Sequence, residues 1–150
     1  MTSRLMVLIA TLLIFFCPVA WASDDDMQFV DARDATGYYV DVSTIQKATA
    51  IDTYDFIKDD GTVEQRQRER TVMQARIAVV KANEDRRYLY DVQFDRGHRT
   101  YRILTSIVQK YDTKETTESY DEPLPEAPYG VGSPMSELAD FVYDWPNEKE

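Results

Sequence analysis

An α+β domain is what the sequence predicts: an antiparallel meander of five to six strands with one C-terminal helix packed on it. Three observations carry this. Several segments alternate apolar and polar residues with the period of a half-buried strand. Turn chemistry separates them. A single helical stripe with its own start signal follows all of them, and strands grouped ahead of a helix favour segregated α+β architecture over βαβ winding.

Ahead of the domain, residues 1–22 read as a cleavable signal peptide. Arg4 precedes an uninterrupted uncharged run over residues 5–16, apolar but for Thr11, and Pro18 and the small-x-small triplet Ala20-Trp21-Ala22 place cleavage before Ser23. Counted from Leu5 to Ala22 the stretch is 18 residues, at the lower length of a membrane anchor, roughly 17 residues. Pro18 and the run Ser23-Asp24-Asp25-Asp26 after the triplet favour cleavage, which leaves no stable membrane span. A lipid anchor on Cys17 is disfavoured by the bulk of Phe15 and Phe16. Residues 23–150 then form one domain with its core over about 27–145, a length that buries roughly two-thirds of the unfolded-chain surface.

The formal charge is −10 for the 150-residue chain, and cleavage removes only Arg4 from it, so the mature domain is more acidic still. That charge repels nucleic acid and anionic lipid. Cys17 is the only cysteine and leaves with the signal, which excludes a cysteine nucleophile, a thiolate metal site and a redox pair.

A short strand is expected over residues 27–30, with Gly37 as punctuation. Tyr38, Val40 and Val42 then face one way and Tyr39 and Asp41 the other, a second strand. A third, less regular one covers residues 48–57 through Ile51, Tyr54 and Phe56. Lys58-Asp59-Asp60-Gly61 is a turn. Residues 64–70 hold no apolar side chain and must face water, as a loop or the outer end of a hairpin.

From Val72 onward Met73, Ala75, Ile77 and Val79 alternate with Gln74, Arg76 and Ala78. Asn83-Glu84-Asp85 turns the chain into Tyr88, Tyr90, Val92 and Phe94, the cleanest amphipathic strand. Asp95-Arg96-Gly97-His98 is a hairpin connection with Gly97 able to take positive φ. Tyr101, Ile103, Thr105 and Ile107 continue the meander to about Tyr111. Residues 112–131, with Pro123, Pro125 and Pro128, read as a largely extended crossing segment. Ser133 as cap and Pro134 in the first helical position open the helix, whose Met135, Leu138, Ala139 and Val142 form one apolar stripe.

Little in the chain resembles a catalytic or metal site. His98, the only histidine, sits in a turn without the third group that holds a catalytic base and without partners at metal-ligand spacing. Asp59-Asp60-Gly61 with Glu64 lacks the ligand alternation of a calcium loop. The Gly130-Val131-Gly132 stretch follows prolines rather than a strand, unlike a phosphate loop. No catalytic residue, cofactor or metal ligand is therefore assigned. The one basic concentration is Arg66, Arg68 and Arg70, with Arg86 and Arg87 as candidates to join it. Such a patch could grip a carboxylate- or sulfate-bearing partner through bidentate contacts, or it could serve as neutralising charge that keeps a hairpin edge from aggregating.

Gly37-Tyr38-Tyr39-Val40-Asp41 with Ile45, then Phe94-Asp95, Arg99-Thr100-Tyr101-Arg102-Ile103-Leu104, and Gly132-Ser133-Pro134-Met135 after a proline-rich segment resemble the surface-adhesin protein E-like domain of bacteria. The likeness spans about residues 27–145. It implies an antiparallel sheet with a C-terminal helix against it, and adhesion to host surface or matrix proteins, although no adhesive residues map onto this chain. Many members of that family carry two cysteines whose disulfide pins helix to sheet. The matching positions here are Arg96 and Tyr143, so the resemblance implies a helix held by packing alone, which detaches more readily. The expectation is a non-enzymatic protein exported to the periplasm or cell surface, with an unknown protein or surface ligand as partner and an unpaired edge strand able to support a homodimer. The rivals are a small-ligand carrier with a groove between helix and sheet, a structural envelope protein, and a hydrolase built on a buried carboxylate pair.

Overall fold

Alternation builds the sheet, and turn chemistry decides where it folds back. The computed structural model describes residues 26–145; the expected signal segment and its cleavage residues Ala20, Ala22 and Ser23 lie outside them. The elements in chain order are β1 (Met27–Arg33), β2 (Thr36–Ile57), β3 (Val63–Lys81), a 3₁₀ turn (Ala82–Glu84), β4 (Arg86–Asp95), β5 (Thr100–Lys110), β6 (Thr116–Tyr120), β7 (Ala127–Pro128) and α1 (Pro134–Asp144). Strands β1 to β6 lie side by side in sequence order, each antiparallel to the next. β6 pairs with the end of β5 and β7 with its start, on the same edge.

Two expectations are corrected, and of the two alternatives for residues 64–70 the hairpin is the one that forms. The second and third strands are one long strand, β2, interrupted by a bulge: the step from Asp41 to Gln46 spans only Arg76 to Gln74 on β3. The bulge holds because Asp41 Oδ1 accepts from Ser43 N–H (3.1 Å) and Ser43 Oγ–H (2.6 Å), while Thr44 Oγ1 accepts the Arg76 N–H (2.8 Å) in place of a ladder carbonyl. Residues 64–70 are the outer half of β3, paired along their length with β2. The crossing segment is not merely extended, since β6 and β7 both form within it.

Two turns also differ in detail. Gly37 lies inside β2, and the β1–β2 turn is Asp34-Ala35, both left-handed (φ 48° and 59°) between the paired Arg33 and Thr36. That is the geometry of a two-residue type I′ hairpin. Alanine carries a steric cost there that glycine does not, so Ala35→Gly is expected to stabilise the domain by about 0.5–1 kcal/mol, read as a shift in the urea midpoint. In the β4–β5 turn the left-handed residue is Arg99 (φ 53°) rather than Gly97.

One face of the sheet carries the core. Cross-strand rows Val40–Ile77–Tyr90, Ala75–Val92–Ile103 and Met73–Phe94–Tyr101 line it, and α1 lays Leu138, Ala139 and Val142 on them, all completely buried. The helix starts as expected, with Ser133 Oγ accepting from Ser136 N–H (3.2 Å) and Pro134 in the first turn. Arg96 and Tyr143 touch. The Tyr143 hydroxyl donates to Phe94 O (2.8 Å), and the Arg96 guanidinium lies 4.7 Å over the Tyr143 ring and 2.8 Å from Asp144.

Candidate functional site

Strands β2 and β3 outrun the rest of the sheet. On its outer side β2 is paired only as far as Asp41, and β3 meets β4 only from Met73 onward. Residues 48–57 and 63–72 pair only with each other, and ten residues of strand reach about 33 Å. This ribbon is an arm standing off the body. At its tip Gly61 takes φ 80°, and Asp60 Oδ1 accepts from Thr62 N–H (2.9 Å) and Thr62 Oγ–H (2.6 Å). The Asp59-Asp60-Gly61 motif is thus a turn built on its own hydrogen bonds.

Hairpin closure brings the arginines onto one face with residues from β2. Tyr54 sits opposite Arg66, Asp52 opposite Arg68 and Ala50 opposite Arg70. The Arg66 guanidinium stacks 3.6 Å from the Phe56 ring centroid while bonding Glu64 (3.1 Å), and Arg68 lies 5.8 Å over Tyr54 and 3.5 Å from Asp52. Both arginines stay exposed, at 44% and 58% of their side chains. Cation–π stacking of this kind orients a guanidinium while leaving its outward N–H groups able to meet a carboxylate or sulfate.

Arg70 does something different. Its side chain is only 11% exposed and sits where the arm joins the body, among Asp52 (Nη2 to Oδ1, 2.9 Å), Glu126 (2.9 Å) and Asp95. Thr100 Oγ1 donates to Glu126, and Asp95 also takes the His98 N–H (3.0 Å) with His98 Nδ1 2.9 Å away. The Arg70 hydrogen bond holds Asp52 below the usual carboxylate range. Burial pushes Asp95 up, but the bonds from His98 and Arg70 outweigh it and leave it lowered. Glu126 is lowered by its bond from Thr100 and then by Arg70. The carboxylates in turn raise Arg70 further above its ordinary value. Four parts of the chain are thereby tied together: both strands of the arm, the end of β4 and the segment before β7.

The expected patch therefore divides. Arg66 and Arg68 form a surface with Tyr54 and Phe56, whereas Arg70 is built into the base. Arg86 and Arg87 do not join it, since they pair with Lys81 and Val80 at the opposite end of β3, about 33 Å from Arg70 at strand rise. His98 is solvent-exposed at its turn, as expected, but anchored to Asp95. The aromatic half of the patch is not visible in residues 48–57 alone, where Tyr54 and Phe56 mark only an irregular strand. Their phase against Arg66 follows from the position of the Asp60-Gly61 turn. Elsewhere, an open cleft of about 370 Å³ lies beside α1, lined by Val30, Phe141 and Trp145 with Glu137, Asp140 and Asp144. Among the described residues, no group of three or more His, Cys, Asp or Glu side chains could hold a metal ion, and no helix is long and apolar enough to cross a membrane. No family model, curated protein or solved structure matches the chain.

Proposed function

We propose that this chain is an exported bacterial envelope protein with a non-catalytic binding role, and that the arm is its recognition element. The observation that carries the reading is the exposed layer of Arg66 and Arg68 stacked on Phe56 and Tyr54, on a ribbon that stands clear of the sheet. Aromatic and arginine side chains are the residues that most often dominate binding energy. Adhesion to host or matrix proteins, which the resemblance to the surface-adhesin protein E-like domain implies, is the specialised form of this reading. The carboxylates at the arm base are committed to the fold, Asp52 to Arg70, Asp95 to His98 and Arg70, and Glu126 to Thr100 and Arg70.

Residues 23–150, which contain every described element, provide the test against immobilised matrix proteins. Tyr54→Ala/Phe56→Ala and Arg66→Ala/Arg68→Ala are each expected to weaken binding by at least about tenfold with the thermal midpoint essentially unchanged, since all four side chains are exposed. Arg70 is left intact to keep the fold. Unchanged affinity in both variants would remove the arm from recognition. The cleft beside α1 favours one other reading, a periplasmic small-ligand carrier. It would show as saturable binding of an amphiphile that is lost in Phe141→Ala and indifferent to the arm variants.

A further inference from the structure

The two long edges of the arm are unlike. The edge of β3 carries Glu64, Arg66, Arg68, Glu69 and Arg70, charges of the sort that discourage another strand from adding. The edge of β2 over residues 45–57 reads Ile-Gln-Lys-Ala-Thr-Ala-Ile-Asp-Thr-Tyr-Asp-Phe-Ile, with no proline and three charges. Its pairing with β3 over residues 46–57 is unbroken, and no other described strand covers it. Ile51 and Ile57 are 57% and 70% exposed. The sheet's two outermost strands are protected differently: β1 is short and bulged between Phe29 and Asp31, and β6 is shorter still. A long, unbulged, largely uncharged edge with exposed β-branched residues invites strand addition.

The residues along this edge select the strand that adds to it. Two identical strands paired antiparallel about a twofold axis set same-face residues against each other, so the two position numbers sum to an even value. With the axis at Ile51, Lys47 of each copy faces Asp55 of the other, Thr49 faces Thr53, Ile45 faces Ile57 and Ile51 faces its own mate. On the other face Ala50 meets Asp52, Ala48 meets Tyr54 and Gln46 meets Phe56. No like charges meet. Neither Lys47 nor Asp55 has an ion-pair partner within the chain among the described residues. Moving the axis to Ala50 leaves Lys47 against Thr53 and Asp55 against Ile45, and moving it to Asp52 sets two aspartates face to face. Only the Ile51 register satisfies both charges.

We propose that a second copy of this chain pairs with the outer edge of β2 in that register, joining the two arms into a four-stranded ribbon. Each copy keeps its β3 edge outward, so the dimer displays two Tyr54–Phe56–Arg66–Arg68 layers on one continuous surface.

Sedimentation equilibrium on residues 23–150 tests this, with circular dichroism to confirm that each variant is folded. The parent is expected to dimerise. Lys47→Asp sets Asp against Asp at two symmetric contacts and is expected to weaken the dimer about 30-fold, and Asp55→Lys to weaken it similarly. The double variant Lys47→Asp/Asp55→Lys is expected to return to within about threefold of the parent, since its pairs are restored with the charges exchanged. As a check on register, Ile51→Cys, then the only thiol present, is expected to cross-link between copies under mild oxidation while Thr53→Cys is not. A parent that is monomeric throughout, a dimer indifferent to Lys47→Asp, or a double variant no better than the singles would overturn the proposal.

Discussion

Replacing Arg70 by methionine is expected to destabilise the domain by about 3 kcal/mol, the lower end for removing one partner of a buried charge cluster. Asp52, Asp95 and Glu126 are each only partly screened by solvent and would be left close together without their cation. For a domain of this size the loss corresponds to a fall of roughly 10 °C in the thermal midpoint. The effect should depend on pH, with a sign set by the carboxylates. All three titrate below their ordinary values in the folded chain. Their stabilising contribution is therefore complete above the unfolded carboxylate range near pH 4 and is lost as pH falls through the lower folded values. The gap between parent and Arg70→Met should narrow toward about pH 3, where the variant's unpaired carboxylates have taken up protons. Urea titrations across pH 3 to 7 measure it. A gap that stays constant would mean that Arg70 acts through packing of its stem alone.

Leu138→Ala is expected to cost about 3 kcal/mol, within the usual range for a fully buried leucine. Leu138 is completely buried with Ala139 and Val142 against the sheet. An 11-residue helix has little stability of its own in water, so it stays folded only while that stripe is seated. The remaining tether is the Arg96–Tyr143–Asp144 cluster, and half-exposed ion pairs of this type contribute at most about 1 kcal/mol. Native-state hydrogen exchange should show the amides of residues 138–142 opening at lower free energy than those of residues 88–94, which lie in a strand paired on both sides. Leu138→Ala should lower the helix opening energy first. Equal protection of the two segments would show that helix and sheet open as one unit.

Much of this architecture was legible because alternation is a local property. Met73 to Val79 and Tyr88 to Phe94 declare their buried face by period alone, and Ser133-Pro134 declares the start of α1 by capping chemistry. The misreadings share one cause. The bulge in β2 is completed by Thr44 Oγ1 accepting the Arg76 N–H, a bond that exists only once β3 lies alongside. The left-handed residues fell on Ala35 and Arg99 rather than on the glycines nearby, because strand register dictated where each turn had to close.

The candidate site divides along the same line. The antiparallel meander and the helix that follows it are what the sequence by itself determines, whereas Arg66, Arg68 and Arg70 share a face only because residues 64–70 pair with β2 as a strand. Which of the three is exposed was decided by tertiary structure alone. Asp95 and Glu126 come from segments 25 and 56 residues beyond Arg70, and only the folded sheet brings their charges close enough to bury the one arginine and leave the other two on the arm in water.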